Sequence, residues 1–82
     1  MRQLTLYSRQ YCHLCHDMLA ALEALRGEFE FEVMVVDLDL IEDSALLARY
    51  DELVPVLVAA ETELCHYFLD LDAVRACLAE VK

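Results

Sequence analysis

The segment QYCHLCHDM, residues 10–18, contains two cysteines three positions apart, with one histidine between them and another directly after the second. Cys12 and Cys15 in this Cys-x-x-Cys spacing can form a reversible disulfide, since one thiolate attacks a disulfide and the other thiol displaces the product. The same segment is compatible with a zinc site of thiolate and imidazole ligands, and with the covalent haem attachment of Cys-x-x-Cys-His sequences. The rest of the chain has to discriminate among these three chemistries.

The apolar spacing after the motif predicts a helix that separates the two cysteines. Apolar residues recur at helical intervals at Leu14, Met18, Leu22 and Leu25. On an ideal helical wheel Cys15 lies about 85° from the centre of this buried face, whereas Cys12 lies on the far side, at the start of the helix. We therefore predict that Cys12 is the exposed nucleophile and that Cys15 is the resolving thiol.

The position of Cys12 at a helix N-terminus favours its thiolate, because unpaired N–H groups and the helix dipole stabilise an anion there. An ordinary cysteine, with a pKa of about 8.5, is only about 3% ionised at pH 7. Three further groups, Arg9, His13 and His16, can add to the dipole if they point toward the sulfur. We expect a moderately stabilised Cys12 thiolate, with His16 as a tuning residue.

Zinc and haem are less well supported than the dithiol. A structural zinc site needs a second ligand pair, and the candidates Cys65 and His66 are neighbours on a predicted strand, so they point to opposite faces. Haem attachment of this type requires export, and residues 1–12 have no apolar secretion signal. Cys65 and Cys77 are interpreted as small buried residues. We predict a cytoplasmic protein without a bound metal.

Composition restricts the possible partners. The 82 residues suffice for a single domain, 1–82, and carry 16 acidic against six basic side chains, for a net charge of −10. Binding to nucleic acid or to anionic membranes depends on clustered Lys and Arg, so neither is expected. The longest apolar run, residues 54–60, is too short to cross a bilayer. We expect a monomer.

Periodicity predicts the element order βαβαββα. Gln3–Tyr7 alternates as a strand, and Gly27 is expected to end the first helix as a left-handed cap. Phe29–Leu38 is predicted as a second strand, and its continuous VMVV run indicates a sheet covered on both faces. Asp43 or Ser44 is expected to cap a short second helix.

The last third of the chain is predicted to be a hairpin and a helix. Val56–Ala59 and Leu64–Phe68 would be the strands, joined by a tight turn at Glu61 and Thr62. Asp70 or Asp72 is expected to cap the last helix. The apolar positions of this helix are Val74, Cys77, Leu78 and Val81, which places Cys77 in the core.

Three segments together resemble a glutaredoxin-like protein of the thioredoxin fold: SRQYCHLC after a short strand, VPVLV before a hairpin, and the closing helix. The resemblance covers nearly the whole chain. It implies an α/β domain with a four-stranded mixed sheet flanked by three helices. It also implies Cys12 as nucleophile, Cys15 as resolving thiol, and Arg9 as the basic residue that glutaredoxins carry shortly before their CPYC.

The resemblance also implies a substrate-binding element. Val54 and Pro55 match the family's Thr-Val-Pro element, whose proline is cis and lies beside the active thiols. The Val54 backbone would pair with the extended backbone of a bound thiol substrate, as in strand addition. Tyr11 and His13 are expected to contact the same substrate.

Two departures from the glutaredoxin pattern concern the substrate. The stretch LDLDA, residues 69–73, replaces the Gly-Gly segment where the γ-glutamyl carboxylate of glutathione docks, and Asp70 and Asp72 would repel that carboxylate. Asp51 and Glu52 replace the basic or Gln residue often found before Thr-Val-Pro. We predict a thiol–disulfide oxidoreductase without a cofactor that acts on protein disulfides or dithiols, with glutathione as a less favoured partner. A non-catalytic binding module of the same fold is the alternative.

Overall fold

The elements of the chain follow the predicted order βαβαββα in a computed structural model that describes residues 2–10, 12–60 and 62–79. The four strands are β1 (Arg2–Ser8), β2 (Phe31–Asp37), β3 (Val56–Ala59) and β4 (Thr62–His66). The three α-helices are α1 (His13–Ala24), α2 (Ser44–Tyr50) and α3 (Leu71–Ala79). Single 3₁₀ turns follow α1 at Leu25–Gly27 and β2 at Leu38–Leu40.

The strands form one mixed sheet in the order β2-β1-β3-β4. β1 is parallel to β2, while β3 runs antiparallel to both β1 and β4. This arrangement confirms the four-stranded mixed sheet with three helices that the resemblance implied. Pairing brings together one end of every strand, at Ser8, Asp37, Val56 and His66. We call this the motif end of the sheet, since the cysteine motif follows directly after β1.

Helices cover both faces of the sheet. On one face, α1 and α3 pack on β1 and β3 through a buried cluster that includes Leu4, Leu6, Met18, Leu22, Leu57, Val74 and Cys77. On the other, α2 packs through a smaller cluster of Leu38, Tyr50, Val56 and Val58. The burial of Cys77 confirms its predicted place in the core. No helix among the described residues is long and apolar enough to cross a membrane.

The predicted end of α1 is wrong. Gly27 is the last residue of a 3₁₀ turn, and no described glycine has a positive φ. The backbone N–H of Leu25 donates to the carbonyls of Leu22 and Glu23, so the helix tightens at its end. A 3₁₀ turn satisfies terminal carbonyls without reversing the chain, which removes the need for a left-handed cap.

The sheet is covered on both faces, as predicted, but the predicted start of the second strand is wrong. β2 begins at Phe31 instead of Phe29 and lies at an edge of the sheet. Its residues Met34 and Val35 point to opposite faces, and each is half exposed. The apolar run therefore reflects an edge strand with partial cover on both faces.

The caps of the later helices agree with the sequence. One carboxylate oxygen of Asp43 accepts hydrogen bonds from the N–H groups of Ala45 and Leu46 at 3.0 and 3.2 Å. The carboxylate of Asp70 accepts from the N–H of Ala73 at 3.1 Å, at the start of α3. β4 begins and ends two residues earlier than predicted, at Thr62 and His66. The predicted turn residue Glu61 and the helix position Val81 lie outside the described residues.

Candidate functional site

Cys12 occupies the N-cap position of α1, as the sequence predicted. Its backbone is extended, with φ −114° and ψ 106°, and its sulfur accepts a hydrogen bond from the N–H of Cys15 at 3.2 Å. The carbonyl of Cys12 accepts from the N–H of His16 at 3.3 Å. The first turn contains no acidic residue. The sulfur thus lies at the positive end of the helix dipole, where a thiolate is stabilised.

Cys12 and Cys15 are joined by a disulfide, with their Cα atoms 5.2 Å apart. Cys12 is half buried, whereas Cys15 is only 6% exposed. The helical wheel predicted this difference, because Cys15 lies one turn deeper along the apolar flank. The pair therefore combines a half-buried cysteine with a protected one within bonding distance, as an intramolecular dithiol requires.

Arg9 forms ion pairs with two carboxylates that sequence reasoning did not identify. Its guanidinium donates to Asp39 Oδ1 at 3.0 Å and also contacts Asp51 Oδ1. These partners are 30 and 42 residues away along the chain, so no local pattern connects them to Arg9. The Arg9 Nε is buried without a hydrogen-bond partner among the described residues. Two carboxylates thus balance the charge that was expected to assist the Cys12 thiolate.

The two histidines of the motif differ in their surroundings. Both are exposed, but His16 also borders a small cavity of about 120 Å³ beside Cys15. The remaining residues that line this cavity are Leu6, Ser8, Arg9, Leu19 and Val35. His16 therefore borders the same cavity as Cys15, and its role in tuning the Cys12 thiolate stays a prediction.

The loop before β3 lies at the motif end of the sheet. Tyr7 of β1 pairs with Val56, the residue that directly follows Pro55. The Val54-Pro55 peptide bond is cis, and Pro55 is buried. Among the described residues, Val54 makes no backbone–backbone hydrogen bond outside the regular elements. This geometry is compatible with the substrate-binding role implied for the loop; the other predicted contact, Tyr11, lies outside the described residues.

The remaining cysteines are free thiols packed against the core. Burial raises the pKa of the Cys65 thiol, and the carboxylates of Asp70 and Glu63 act in the same direction. A hydrogen bond from the backbone of Asp70 opposes these effects. Cys65 is therefore a weaker nucleophile than an exposed thiol at neutral pH.

Cys65 should react slowly with iodoacetamide at pH 7.5 in the reduced native protein, several-fold more slowly than a cysteine in an unstructured peptide. The raised pKa keeps the folded thiol neutral. The stability that the neutral Cys65 thiol contributes is present below the ordinary cysteine pKa and is lost as the pH rises through the raised pKa. Peptide mapping after timed quenching measures the rate, and the same reaction in denaturant is the control. Equal rates in both conditions would contradict the assignment.

Among the described residues, metal-ligating side chains do not gather into a cluster. Across residues 2–10, 12–60 and 62–79, no three His, Cys, Asp or Glu side chains are grouped as they would be around a metal ion. In the part of the chain that the structure describes, the paired cysteines are thus the main chemical feature of the motif end.

Comparisons with known proteins agree with this geometry. The family model of the glutaredoxin-like domain (DUF836) matches residues 3–79. Protein Ne2328 from Nitrosomonas europaea is 43% identical, with 94% of this chain and 91% of that chain covered and a TM-score of 0.84. Protein XcR50 from X. campestris is 35% identical, with 96% and 99% covered and a TM-score of 0.65.

A more distant match supports the fold alone. The buckwheat glutaredoxin in its complex with glutathione is 20% identical, with 89% of this chain and 64% of that chain covered and a TM-score of 0.56. None of the curated proteins matches the chain.

Proposed function

Because the chain belongs to the glutaredoxin-like domain family, we propose that it is a thiol–disulfide oxidoreductase. The observation that carries this proposal is the pair of cysteines at the start of α1, with the Cys12 sulfur on the N–H of Cys15 at 3.2 Å. A helix N-terminus supports the anionic form of this sulfur, and the thiolate is the reactive form in disulfide exchange.

The proposed reaction has two exchange steps. The Cys12 thiolate attacks one sulfur of a substrate disulfide, forms a mixed disulfide, and releases the other substrate sulfur as a thiolate that takes up a proton. Cys15 then loses its proton and attacks the Cys12 sulfur, which releases the second substrate thiol. The substrate gains two electrons and the protein becomes the Cys12–Cys15 disulfide. The reverse sequence oxidises a dithiol.

Charge placement favours attack by Cys12. The first turn of α1 has no acid to oppose the thiolate, while the nearest cation in the sequence, Arg9, is paired with Asp39 and Asp51. The helix N-terminus therefore supplies most of the stabilisation of the Cys12 thiolate. Cys15 is buried, so external disulfides reach Cys12 first.

The proposed substrate site is the loop before β3. The free backbone groups of Val54 would pair with an extended substrate, and Pro55 would hold the Val54 backbone in place. Arg9 and His13 would lie at the border of the bound substrate. Glutathione is the low-molecular-weight partner that the buckwheat relative binds. Here exposed Asp70 and Asp72 would oppose a glutathione carboxylate, so we propose a protein disulfide as the main substrate.

Turnover on a protein disulfide tests this function. The purified protein is added in catalytic amount to oxidised insulin with dithiothreitol as reductant, and thiol release is followed over time. We expect acceleration above the uncatalysed rate, with the protein cycling between four free thiols and two. A protein that stays reduced and gives no acceleration would instead support the binding-module alternative.

A further inference from the structure

We infer that the preferred substrate is a protein disulfide whose cysteine lies in a basic, partly apolar segment. The docking surface is formed by Tyr67, Phe68 and Leu71, which we call the aromatic patch. This inference rests on the proposed function, because it specifies the substrate of the same dithiol. It follows from the position, exposure and electrostatic surroundings of the patch.

The aromatic patch is fixed at the motif end of the sheet. β4 ends at His66, which pairs with Val56, so Tyr67 follows at the end where the cysteine motif begins. The backbone N–H of Tyr67 donates to the carbonyl of Pro55 at 2.9 Å, and its hydroxyl donates to the carbonyl of Glu52 at 2.9 Å. The patch and the proposed substrate loop are thus joined by two hydrogen bonds.

The patch exposes apolar surface that the fold leaves uncovered. Phe68 is 69% exposed, Leu71 43% and Tyr67 38%. The backbone of Tyr67 has a φ of 63°, in the left-handed region that residues other than glycine rarely adopt. The ring of His66 packs edge-on against the Tyr67 ring. Exposed apolar side chains that are close together in the chain, at the end of the sheet where the cysteine motif begins, are typical of a contact surface for another protein.

Exposed acidic residues adjoin this surface. Asp70 and Asp72 flank Leu71 in the chain, and Glu52 contributes the carbonyl that accepts the Tyr67 hydroxyl. Asp39 and Asp51, which follow β2 and α2, have exposed carboxylates as well. These last two carboxylates already hold the guanidinium of Arg9, and the whole chain has a net charge of −10. Electrostatic complementarity therefore favours a cationic partner. It disfavours both glutathione, which is an anionic tripeptide, and a second copy of this chain.

These features define the substrate segment chemically. An apolar side chain near the reactive cysteine would pack on Phe68, and flanking Lys or Arg would meet the carboxylates of Glu52 and Asp72. The Phe68 ring can also accept an Arg or Lys side chain over its face. Since exposed charges act at long range, they would chiefly raise the rate of encounter, and salt would weaken the effect.

Two matched peptides test the inference. Both contain one intramolecular disulfide and one Leu, with Lys flanking the cysteines in one and Glu in the other. The reduced protein is mixed with each at 20 mM and at 500 mM salt, and its oxidation is followed. We expect the Lys peptide to react roughly 10 to 100 times faster at low salt, with a smaller difference at high salt.

Charge-reversal variants locate the effect. Glu52→Lys with Asp72→Lys should remove most of the preference for the Lys peptide, while Asp70 is retained because it caps α3. The matched control is Glu30→Lys, an exposed residue just before β2 at the opposite end of the sheet, and it should keep the preference. Phe68→Ser should slow the reaction of the Lys peptide.

A neutral small disulfide separates the two possible failures. If wild-type protein fails to accelerate insulin reduction and also fails to reduce bis(2-hydroxyethyl) disulfide, the proposed function itself fails. If it reduces this compound but treats the Lys and Glu peptides alike, or if Glu30→Lys removes the preference as strongly as the double variant, the inferred substrate class is wrong.

Discussion

Replacing Cys12 with serine should abolish disulfide reduction, with a loss of roughly 1,000-fold or more in the rate constant for a protein disulfide. A serine hydroxyl forms no mixed disulfide, and the buried Cys15 cannot take over the attack on a bulky substrate. The variant should fold normally, because serine is an efficient N-cap residue and can accept the same hydrogen bond from the N–H of Cys15. Insulin reduction measures the loss.

The matched control is Cys65→Ser, which removes a half-buried thiol from β4. This variant should retain most of the wild-type rate, because Cys65 has no part in the exchange steps. Circular dichroism on both variants would show that the fold is intact. Full activity of Cys12→Ser, or loss of activity in a folded Cys65→Ser protein, would show that the assignment of Cys12 as the nucleophile is wrong.

Replacing Cys15 with serine should trap the reaction halfway. Cys12 can still attack the substrate disulfide, but the variant has no Cys15 thiol to resolve the mixed disulfide. The mixed disulfide should therefore accumulate to nearly one equivalent per protein. Steady-state turnover on a protein disulfide should fall by roughly 100-fold. Intact-mass measurement after reaction with one disulfide peptide would detect the adduct, and digestion without reduction would locate it.

The wild-type protein under the same conditions is the control, and it should end as the intramolecular disulfide without a bound peptide. In the Cys15→Ser protein the adduct should map to Cys12. An adduct on Cys65 or Cys77, or no adduct at all in a folded protein, would contradict the division of roles between the two cysteines of the motif.

Local periodicity was sufficient to predict the order of elements and the two environments of the motif. The apolar spacing from Leu14 to Leu25 fixed the buried side of α1, and it correctly gave Cys15 the buried position. The N-cap position of Cys12 and the caps at Asp43 and Asp70 followed equally from nearby residues. These features depend on interactions within about one helical turn, which a single sequence contains.

The features that failed or were missed depend on distant parts of the chain. An apolar run does not reveal whether its strand lies at the centre or the edge of a sheet, so the exposure of Met34 and Val35 was not predicted. The ion pairs of Arg9 join residues 30 and 42 positions apart. The contact of Tyr67 with Pro55 likewise exists only once β3 and β4 pair. Such contacts require the tertiary arrangement.

The central claim is that Cys12 and Cys15 form a reversible dithiol, and a redox titration of the pure protein tests it most directly. The protein is equilibrated with glutathione at graded ratios of reduced to oxidised form, quenched with acid, alkylated in denaturant, and weighed by mass spectrometry with peptide mapping. We predict a single two-electron transition. As the mixture becomes more oxidising, Cys12 and Cys15 together become protected from alkylation, while Cys65 and Cys77 are alkylated at every ratio. Four alkylated cysteines at every ratio, or a stable glutathione adduct on Cys12 with Cys15 free, would contradict the account.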